Sequence, residues 1–161
     1  MNLPRLAVLF ALGLAGCTLM ADDKPPAKPE EGFVPLFNGK DMTGWVVTAC
    51  KTEVTPDGVL VTTEGNGFVR TEKQYGDFVL ELEFKNRQPA KYDSGVYFRS
   101  VLPLPKGRRW PDRWQVNLLQ GKEGELVGNK KGQVAGLAKA GEWNKLRLTA
   151  VGKSADVQVN G

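Results

Sequence analysis

The chain has 161 residues, a formal net charge of +4 and no histidine. The lack of histidine excludes Ser-His and Cys-His nucleophile pairs, and it removes the most common zinc ligand and general base. The small positive charge does not by itself indicate nucleic-acid binding, and the length suits one domain with a single hydrophobic core.

The first 16 residues have the features of a bacterial lipoprotein export signal. Arg5 supplies a positive charge near the start, and the apolar run over 6–14 is too short to span a bilayer as a helix. The Leu-Ala-Gly-Cys sequence that ends at Cys17 resembles a lipobox, which is cleaved before a cysteine that receives a lipid. We therefore predict a signal over 1–16 and a lipid-anchored protein of the outer membrane, cell surface or periplasm, with no other contact with the membrane.

Residues 17–31 form a predicted flexible tether, and residues 32–161 form the predicted folded domain. The tether is rich in proline, lysine and acidic residues, a composition that cannot build a core. A lipid on Cys17 would leave Cys50 as the other cysteine of the sequence, so no intrachain disulfide is expected. Cys50 follows an apolar segment and is interpreted as a small buried residue.

Short strands separated by turn signals fill the predicted domain. Asn38-Gly39 lies between apolar segments in the block 32–45, which predicts a first β-hairpin, and Asp57-Gly58 predicts a second. Residues 77–85 alternate in hydrophobicity, as a half-buried strand does. Further strands are predicted over 95–101 and 114–119, and a hairpin over 143–159. Trp45 and Trp143 stand at strand starts and are interpreted as core residues.

Eight or more short strands without an amphipathic helix predict an all-β sandwich or barrel, and we favour a jelly-roll sandwich. The sequence ends at Asn160-Gly161, a turn signal that no strand follows.

Five sequence blocks, in order, resemble the 3-keto-disaccharide hydrolase family, also described as a 3-keto-glucoside-1,2-lyase/3-keto-2-hydroxy-glucal hydratase domain. They are the blocks 32–45, 93–99, 114–120, 141–144 and 159–161. The resemblance implies a concanavalin-like jelly-roll β-sandwich, found in exported bacterial proteins, that acts on 3-keto-glycosides. In that family the final Asn-Gly leads into two or three more strands, so we expect this domain to lack its C-terminal closing strands.

Two segments depart from the family pattern. In the block 93–99, Asp93 stands where the family usually carries Asn. Gln115 and Gln120 stand where the family carries Glu and Asp, and Asn117 stands where it carries Gln. A glutamine cannot act as a general base near neutral pH. These departures leave catalytic activity open while the expected fold is unchanged.

The predicted site lies on a polar sheet face. Arg99, a permanent cation on the polar side of its strand, is the candidate for holding a developing enolate oxygen. Glu81 and Glu83, about 6.5–7 Å apart by strand rise, are the candidate catalytic carboxylates. The alternative is that both glutamates belong to a solvated sheet face. Substrate binding is assigned to these four residues: Tyr97, Gln115, Asn117 and Trp110.

Trp110 lies in a loop over 106–114 that mixes cations with aromatic residues. Tryptophan faces stack on sugar rings, which favours a carbohydrate ligand; the alternative is a surface loop whose tryptophan packs on the sheet. No calcium-type loop and no zinc-ligand cluster stands out in the sequence, so no metal site is predicted and the cofactor is left unknown. No nucleic-acid partner is expected.

Three functions remain open at the level of the sequence. The first is an enzyme acting on 3-keto-glycosides, as the resemblance implies. The second is a non-catalytic carbohydrate-binding sandwich, which the missing carboxylates favour. The third is a conventional glucanase that uses Glu81 and Glu83.

Overall fold

The structure is a computed structural model that describes residues 4–12, 31–111, 114–129 and 136–161. All regular secondary structure in these ranges is strand. The strands are β1 (Arg5–Leu12), β2 (Phe33–Pro35), β3 (Trp45–Val54), β4 (Leu60–Thr71), β5 (Phe78–Asn86), β6 (Gly95–Phe98), β7 (Trp114–Asn117), β8 (Asn144–Val151) and β9 (Ser154–Val159).

The strands form two sheets. The larger sheet has seven strands in the order β3-β4-β1-β5-β8-β9, with β2 paired to β1, and the smaller sheet consists of β6 and β7. Apolar side chains from both sheets meet in one core, including Phe84 of β5, Val116 of β7 and Leu148 of β8. This arrangement confirms the predicted all-β, concanavalin-like sandwich.

Strand β5 explains where the core lies. Its alternation places Leu80, Leu82 and Phe84 on the inner face of the large sheet, as predicted. The prediction that this strand is half-buried is wrong, because Val79 and Glu81 on its other face are buried as well. Strand β5 lies between β1 and β8 in the sheet, and Arg147 of β8 covers Glu81 on its outer face.

Two predicted hairpins are present. Strands β3 and β4 pair around the turn at Asp57-Gly58, where the Gly58 N–H donates to the Thr55 carbonyl at 2.9 Å. Strands β8 and β9 pair around residues 152–153 with Val151 opposite Ser154. In both places, turn-forming residues between two apolar segments were sufficient to predict the hairpin from the sequence.

The predicted first hairpin is not formed, because β2 pairs in parallel with β1 and β3 pairs with β4. Asn38 instead closes a side-chain-stabilised loop, since its Oδ1 accepts the N–H groups of Lys40 and Asp41 at 2.8 and 3.0 Å. Hydrogen bonds from Thr43 and then from Asn38 lower the pKa of Asp41 to about 2. The Asn-Gly signal therefore marks a loop and not a hairpin turn.

Asn144 and Asn160 join two of the sequence blocks. Asn144 is 1% exposed; its Oδ1 accepts the Lys139 N–H at 2.7 Å, and its Nδ2 donates to the Lys139 and Glu142 carbonyls at 2.9 and 2.8 Å. Asn160 donates from Nδ2 to Asn144 Oδ1 at 3.0 Å, and its Oδ1 accepts the Lys145 N–H at 3.0 Å. These two amides hold the start of β8 against the end of β9.

Strand β1 comes from the predicted export signal. It pairs in parallel with β5 over eight residues, from Arg5 opposite Val79 to Leu12 opposite Asn86. Cleavage before Cys17 would remove this strand from the sheet; both the cleavage and the tether over 17–31 stay predictions. The structure describes no helix long and apolar enough to cross a membrane.

Candidate functional site

A cleft of about 1040 Å³ is lined by residues of the large sheet and of the small sheet. Its walls include the inner face of β5, part of β4, both strands of the small sheet, and the loop that carries Trp110. All five predicted site residues outside β5 line it: Tyr97, Arg99, Trp110, Gln115 and Asn117. The small sheet and the loop between its two strands therefore bring these five residues to one cleft wall.

Aromatic rings form a platform in this cleft. The rings of Tyr97 and Trp110 stack with an interplanar angle of 12° and a centroid separation of 6.4 Å. Phe68 of β4 contacts Trp110 from a second direction, with centroids 6.3 Å apart. Trp110 thus packs on the sheet, which is one of the two interpretations of its loop. It also lines the cleft, as stacking on a sugar ring would require.

Two side-chain amides lie beside the platform. Gln115 is directly opposite Tyr97 in the small sheet, and Asn117 is opposite Gly95. The Gln115 side chain lies across Gly95, since a Cβ atom added to that glycine would be 2.2 Å from Gln115 Nε2. The missing side chain at Gly95 therefore makes the space in which Gln115 reaches the cleft.

Arg99 is held by an ion pair at the end of β5. Its Nη2 donates to Asp77 Oδ1 at 2.7 Å, and the Gly152 N–H donates to the same oxygen at 2.9 Å. The hydrogen bond from Arg99, followed by that from Gly152, lowers the pKa of Asp77. Asp77 was not among the predicted site residues. Its carboxylate fixes the Arg99 guanidinium at the wall of the cleft.

Glu81 and Glu83 lie apart from these residues. They alternate with the inner row of β5, so they face away from the cleft, and neither lines it. Glu81 is 6% exposed and accepts a hydrogen bond from Arg147 Nη1 at 2.6 Å, with Lys145 Nζ 3.2 Å away. The expected polar face shared by both glutamates and Arg99 is therefore not formed, because β5 turns its polar row toward β8 partners. Their predicted catalytic role is not tested by this placement.

Carboxylates do line the cleft at other positions. Asp93 and Glu64 are both exposed and both line it. Burial, followed by the charge of Asp93, raises the pKa of Tyr97. Asp93 therefore lies near the Tyr97 hydroxyl at the edge of the aromatic platform.

A second polar group, which the sequence analysis missed, borders the same cleft. Asn86 and Tyr92 line it, and the Tyr92 hydroxyl donates to Glu123 Oε1. The burial of Tyr92, followed by its hydrogen bond to Glu123 and the charge of Glu123, raises its pKa to about 12, against a smaller opposite effect of the Asn86 amide. The available signal was Asn86 itself, a polar residue in the register of the apolar row on β5.

Cys50 was predicted to be a small buried residue; it is partly buried and lines the cleft. Burial raises the pKa of its thiol, which favours the neutral form. Gln120 is exposed and its Oε1 accepts the Lys91 N–H at 2.7 Å, a bond that joins two loops. Over the described ranges, no group of three or more Cys, Asp or Glu side chains is placed to hold a metal ion.

Comparison with known proteins assigns the chain to a family. Residues 32–161 match the family described as the 3-keto-alpha-glucoside-1,2-lyase-like domain. The chain belongs to this family. No curated protein matches it.

A solved structure supports the fold. It is a protein of Parabacteroides distasonis provisionally assigned as a glycosyl hydrolase, with 23% identity and a TM-score of 0.58. The match covers 78% of this chain and 67% of that one. The family membership indicates a carbohydrate-active domain, and the structural likeness shows the shared sandwich.

Proposed function

We propose that this domain binds 3-keto-glycosides in the cleft lined by both of its sheets and cleaves their glycosidic bond by elimination followed by hydration. The observation that carries the proposal is the stacked pair Tyr97–Trp110, flanked by the amide of Gln115, in the cleft of a domain that belongs to this family. Aromatic faces bind the apolar faces of sugar rings, and side-chain amides bind their hydroxyl groups.

The reaction needs a base and a positive group. The ketone at carbon three acidifies the hydrogen on carbon two, so a base can remove that proton and leave an enolate. The glycosidic oxygen then departs from carbon one with its bonding electrons and takes up a proton. Water adds across the resulting double bond, and the net result is hydrolysis.

Asp93 and Arg99 are the residues of the cleft that suit these two tasks. Asp93 is an exposed carboxylate beside the aromatic platform, and a carboxylate can accept the carbon-two proton. Arg99 keeps its positive charge at any relevant pH, and Asp77 fixes its position. Glu81 contacts Arg147 and Lys145 outside the cleft. We therefore assign the role of the base to Asp93 and not to Glu81.

A chromogenic substrate tests this function. The 161-residue chain is incubated with 4-nitrophenyl 3-keto-α-D-glucopyranoside, and release of nitrophenolate is followed by absorbance. Turnover is expected for this compound and not for unoxidised 4-nitrophenyl α-D-glucopyranoside, because only the ketone acidifies carbon two. Cleavage of both compounds at similar rates would support a conventional glucosidase and contradict the proposal.

Variants separate binding from chemistry. Asp93→Asn should reduce turnover by roughly a hundredfold or more and leave binding nearly unchanged. Trp110→Ala should weaken binding roughly tenfold. Trp114→Ala is the matched control, because Trp114 is exposed and does not line the cleft. An equal loss of binding affinity in Trp110→Ala and Trp114→Ala would show that the aromatic platform does not bind the sugar.

A non-catalytic carbohydrate-binding role is the second candidate. The observation in its favour is that amides, at Gln115 and Gln120, occupy positions where the family carries carboxylates, and Gln120 serves to join two loops. This role predicts saturable binding of both glycosides without release of nitrophenolate. Under the enzymatic proposal Gln115→Glu should raise turnover, whereas under the binding role it should not.

Export and lipid anchoring at Cys17 belong to the same proposal. The lipobox-like sequence and the polar segment after it support an anchored protein that meets its glycosides outside the inner membrane. Removal of the signal would take β1 away from β5, and the edge of β5 would then lack a hydrogen-bonding neighbour.

A further inference from the structure

The charges that line the cleft are mostly positive. Two carboxylates of the described residues line it, at Glu64 and Asp93, together with four cationic side chains: Arg70, Lys73, Lys91 and Arg99. Glu64 is neutralised from outside the lining, since Lys51 Nζ lies 2.7 Å from its Oε2, and Asp77 pairs with Arg99 in the same way. Three cations therefore remain in the lining against one carboxylate, that of Asp93.

The loop that carries Trp110 adds further positive charge. Lys106, Arg108 and Arg109 are exposed, and none of them forms an ion pair with a carboxylate in the part of the chain that the structure describes. Trp110 is held against the sheets because its ring stacks on Tyr97. The two arginines that directly precede Trp110 are therefore held near the aromatic platform.

Arg70 approaches the same platform from β4. Phe68 contacts Trp110, and Arg70 is two residues further along an uninterrupted stretch of the β3–β4 register, so both side chains leave the same face of the strand. Their Cα atoms are about 6.5–7 Å apart by strand rise. Arg70 Nη1 donates to the Thr71 carbonyl at 3.2 Å, which leaves its other N–H groups for a ligand, and no described carboxylate pairs with it.

This combination of groups favours one class of ligand. The aromatic platform suits the face of a sugar ring, and guanidinium groups bind carboxylate and sulfate in a two-pronged geometry. A neutral sugar would use the rings and the Gln115 amide and would leave the cations without a counter-charge. A sugar with an acidic substituent uses both.

A negatively charged membrane surface could attract the same cations, but the placement of Trp110 argues against it. Its ring is stacked on Tyr97 at 12° and contacts Phe68 as well, so it belongs to the wall of the cleft and is not free to enter a lipid layer. Arg70 is only partly exposed and lies on a strand. These features fit a small ligand in the cleft better than a flat surface.

We propose that the sugar ring bound at the aromatic platform carries a negatively charged group, a carboxylate or a sulfate, which Arg70, Arg108 and Arg109 bind. The inference rests on the proposed function and names its substrate class: the glycosides that this domain acts on are acidic glycans. The cations then select the substrate by its charge, while the ketone of the substrate still governs the chemistry.

Three methyl glycosides that differ at carbon six test this selection. They are methyl α-D-glucopyranoside, methyl α-D-glucopyranosiduronate and methyl α-D-glucopyranoside 6-sulfate, and none of them has the ketone that cleavage needs. Binding to the ¹⁵N-labelled 161-residue chain is followed by the indole signal of Trp110, which is assigned by its loss in Trp110→Phe. At about 0.02 M salt, at least one of the anionic glycosides should bind roughly fivefold or more tightly than the neutral one. The difference should shrink at about 0.5 M salt, because salt screens exposed charges.

Variants locate the preference. The measured quantity is the ratio of the affinity for the anionic glycoside to that for the neutral one. Arg70→Gln and the double variant Arg108→Gln/Arg109→Gln should each lower this ratio toward one. Lys153→Gln is the matched control, because Lys153 is exposed in the turn between β8 and β9 and does not line the cleft, so the ratio should stay unchanged. Dispersed amide spectra of each variant show that it is folded.

Equal affinity for all three glycosides at low salt would overturn the acidic substrate and leave the proposed function standing, since turnover of the nitrophenyl 3-keto-glucoside is measured separately. A preference that persists in both arginine variants would overturn the assignment to these cations. The tighter of the two anionic glycosides identifies the charged group as carboxylate or sulfate. If no glycoside shifts the Trp110 signal and the chain instead binds phosphatidylglycerol vesicles, a membrane surface replaces the glycan and the inference is wrong.

Discussion

Replacing Asn144 with alanine should destabilise the domain strongly, because this one amide serves several backbone groups. Its side chain makes four hydrogen bonds, two to Lys139, one to Glu142 and one to Asn160. Each bond contributes about 0.5–1.5 kcal/mol net, and each buried group left without a partner costs about 1–3 kcal/mol. Since water can reach some of these backbone groups after the change, we expect a loss of about 2–4 kcal/mol.

Urea unfolding of the purified 161-residue chain measures this loss. The stability of a domain is about 5–15 kcal/mol, so the change should be large. With a slope of about 2 kcal/mol per molar urea, the midpoint should fall by roughly 1–2 M at an unchanged slope. Asn66→Ala is the matched control, because Asn66 is exposed on β4 and should change stability by less than about 0.5 kcal/mol.

A second substitution separates hydrogen bonding from shape. Asn144→Asp keeps the size of the side chain but places a carboxylate beside the carbonyl oxygens of Lys139 and Glu142, which the amide nitrogen now contacts. It should therefore destabilise the domain about as much as alanine. A loss of less than about 1 kcal/mol in both variants would refute the view that this amide joins β8 to β9.

Three further predictions concern pH, glycine and processing. The pKa of Asp41 is lowered to about 2, so the stability it contributes is present above pH 4 and is lost as the pH falls toward 2. The melting temperature of Asp41→Asn should therefore vary less with pH over this range than that of the unsubstituted chain, and equal slopes would contradict this. Gly67→Ala should prevent folding, since its Cβ would lie 1.9 Å from a backbone oxygen of β3, whereas Gly95→Ala should keep the fold and displace only the flexible end of Gln115; a comparison of circular dichroism melts with glycoside affinities distinguishes the two. Mass spectrometry of the exported protein should find a lipid on Cys17, and an unmodified N-terminus at another residue would argue against anchoring.

Local patterns were sufficient to predict several strands and the fold class. The alternation along β5 and the turn at Asp57-Gly58 depend on side chains close in the sequence, so they could be read without a structure. The order and content of the sequence blocks also identified the family correctly. Local signals failed at Asn38-Gly39, because the partner of β2 lies elsewhere in the chain.

The sequence by itself determined which residues are polar and which strand each occupies, and only the tertiary structure decided which polar residues meet. Tyr97, Gln115 and Trp110 converge because the small sheet and its loop fold over β4. Glu81 is excluded because β5 is central and its outer row pairs with β8, and Asn86 enters the cleft because it ends the inner row. The facing of a strand depends on its neighbours in the sheet, and those neighbours are set by long-range packing that no local pattern specifies.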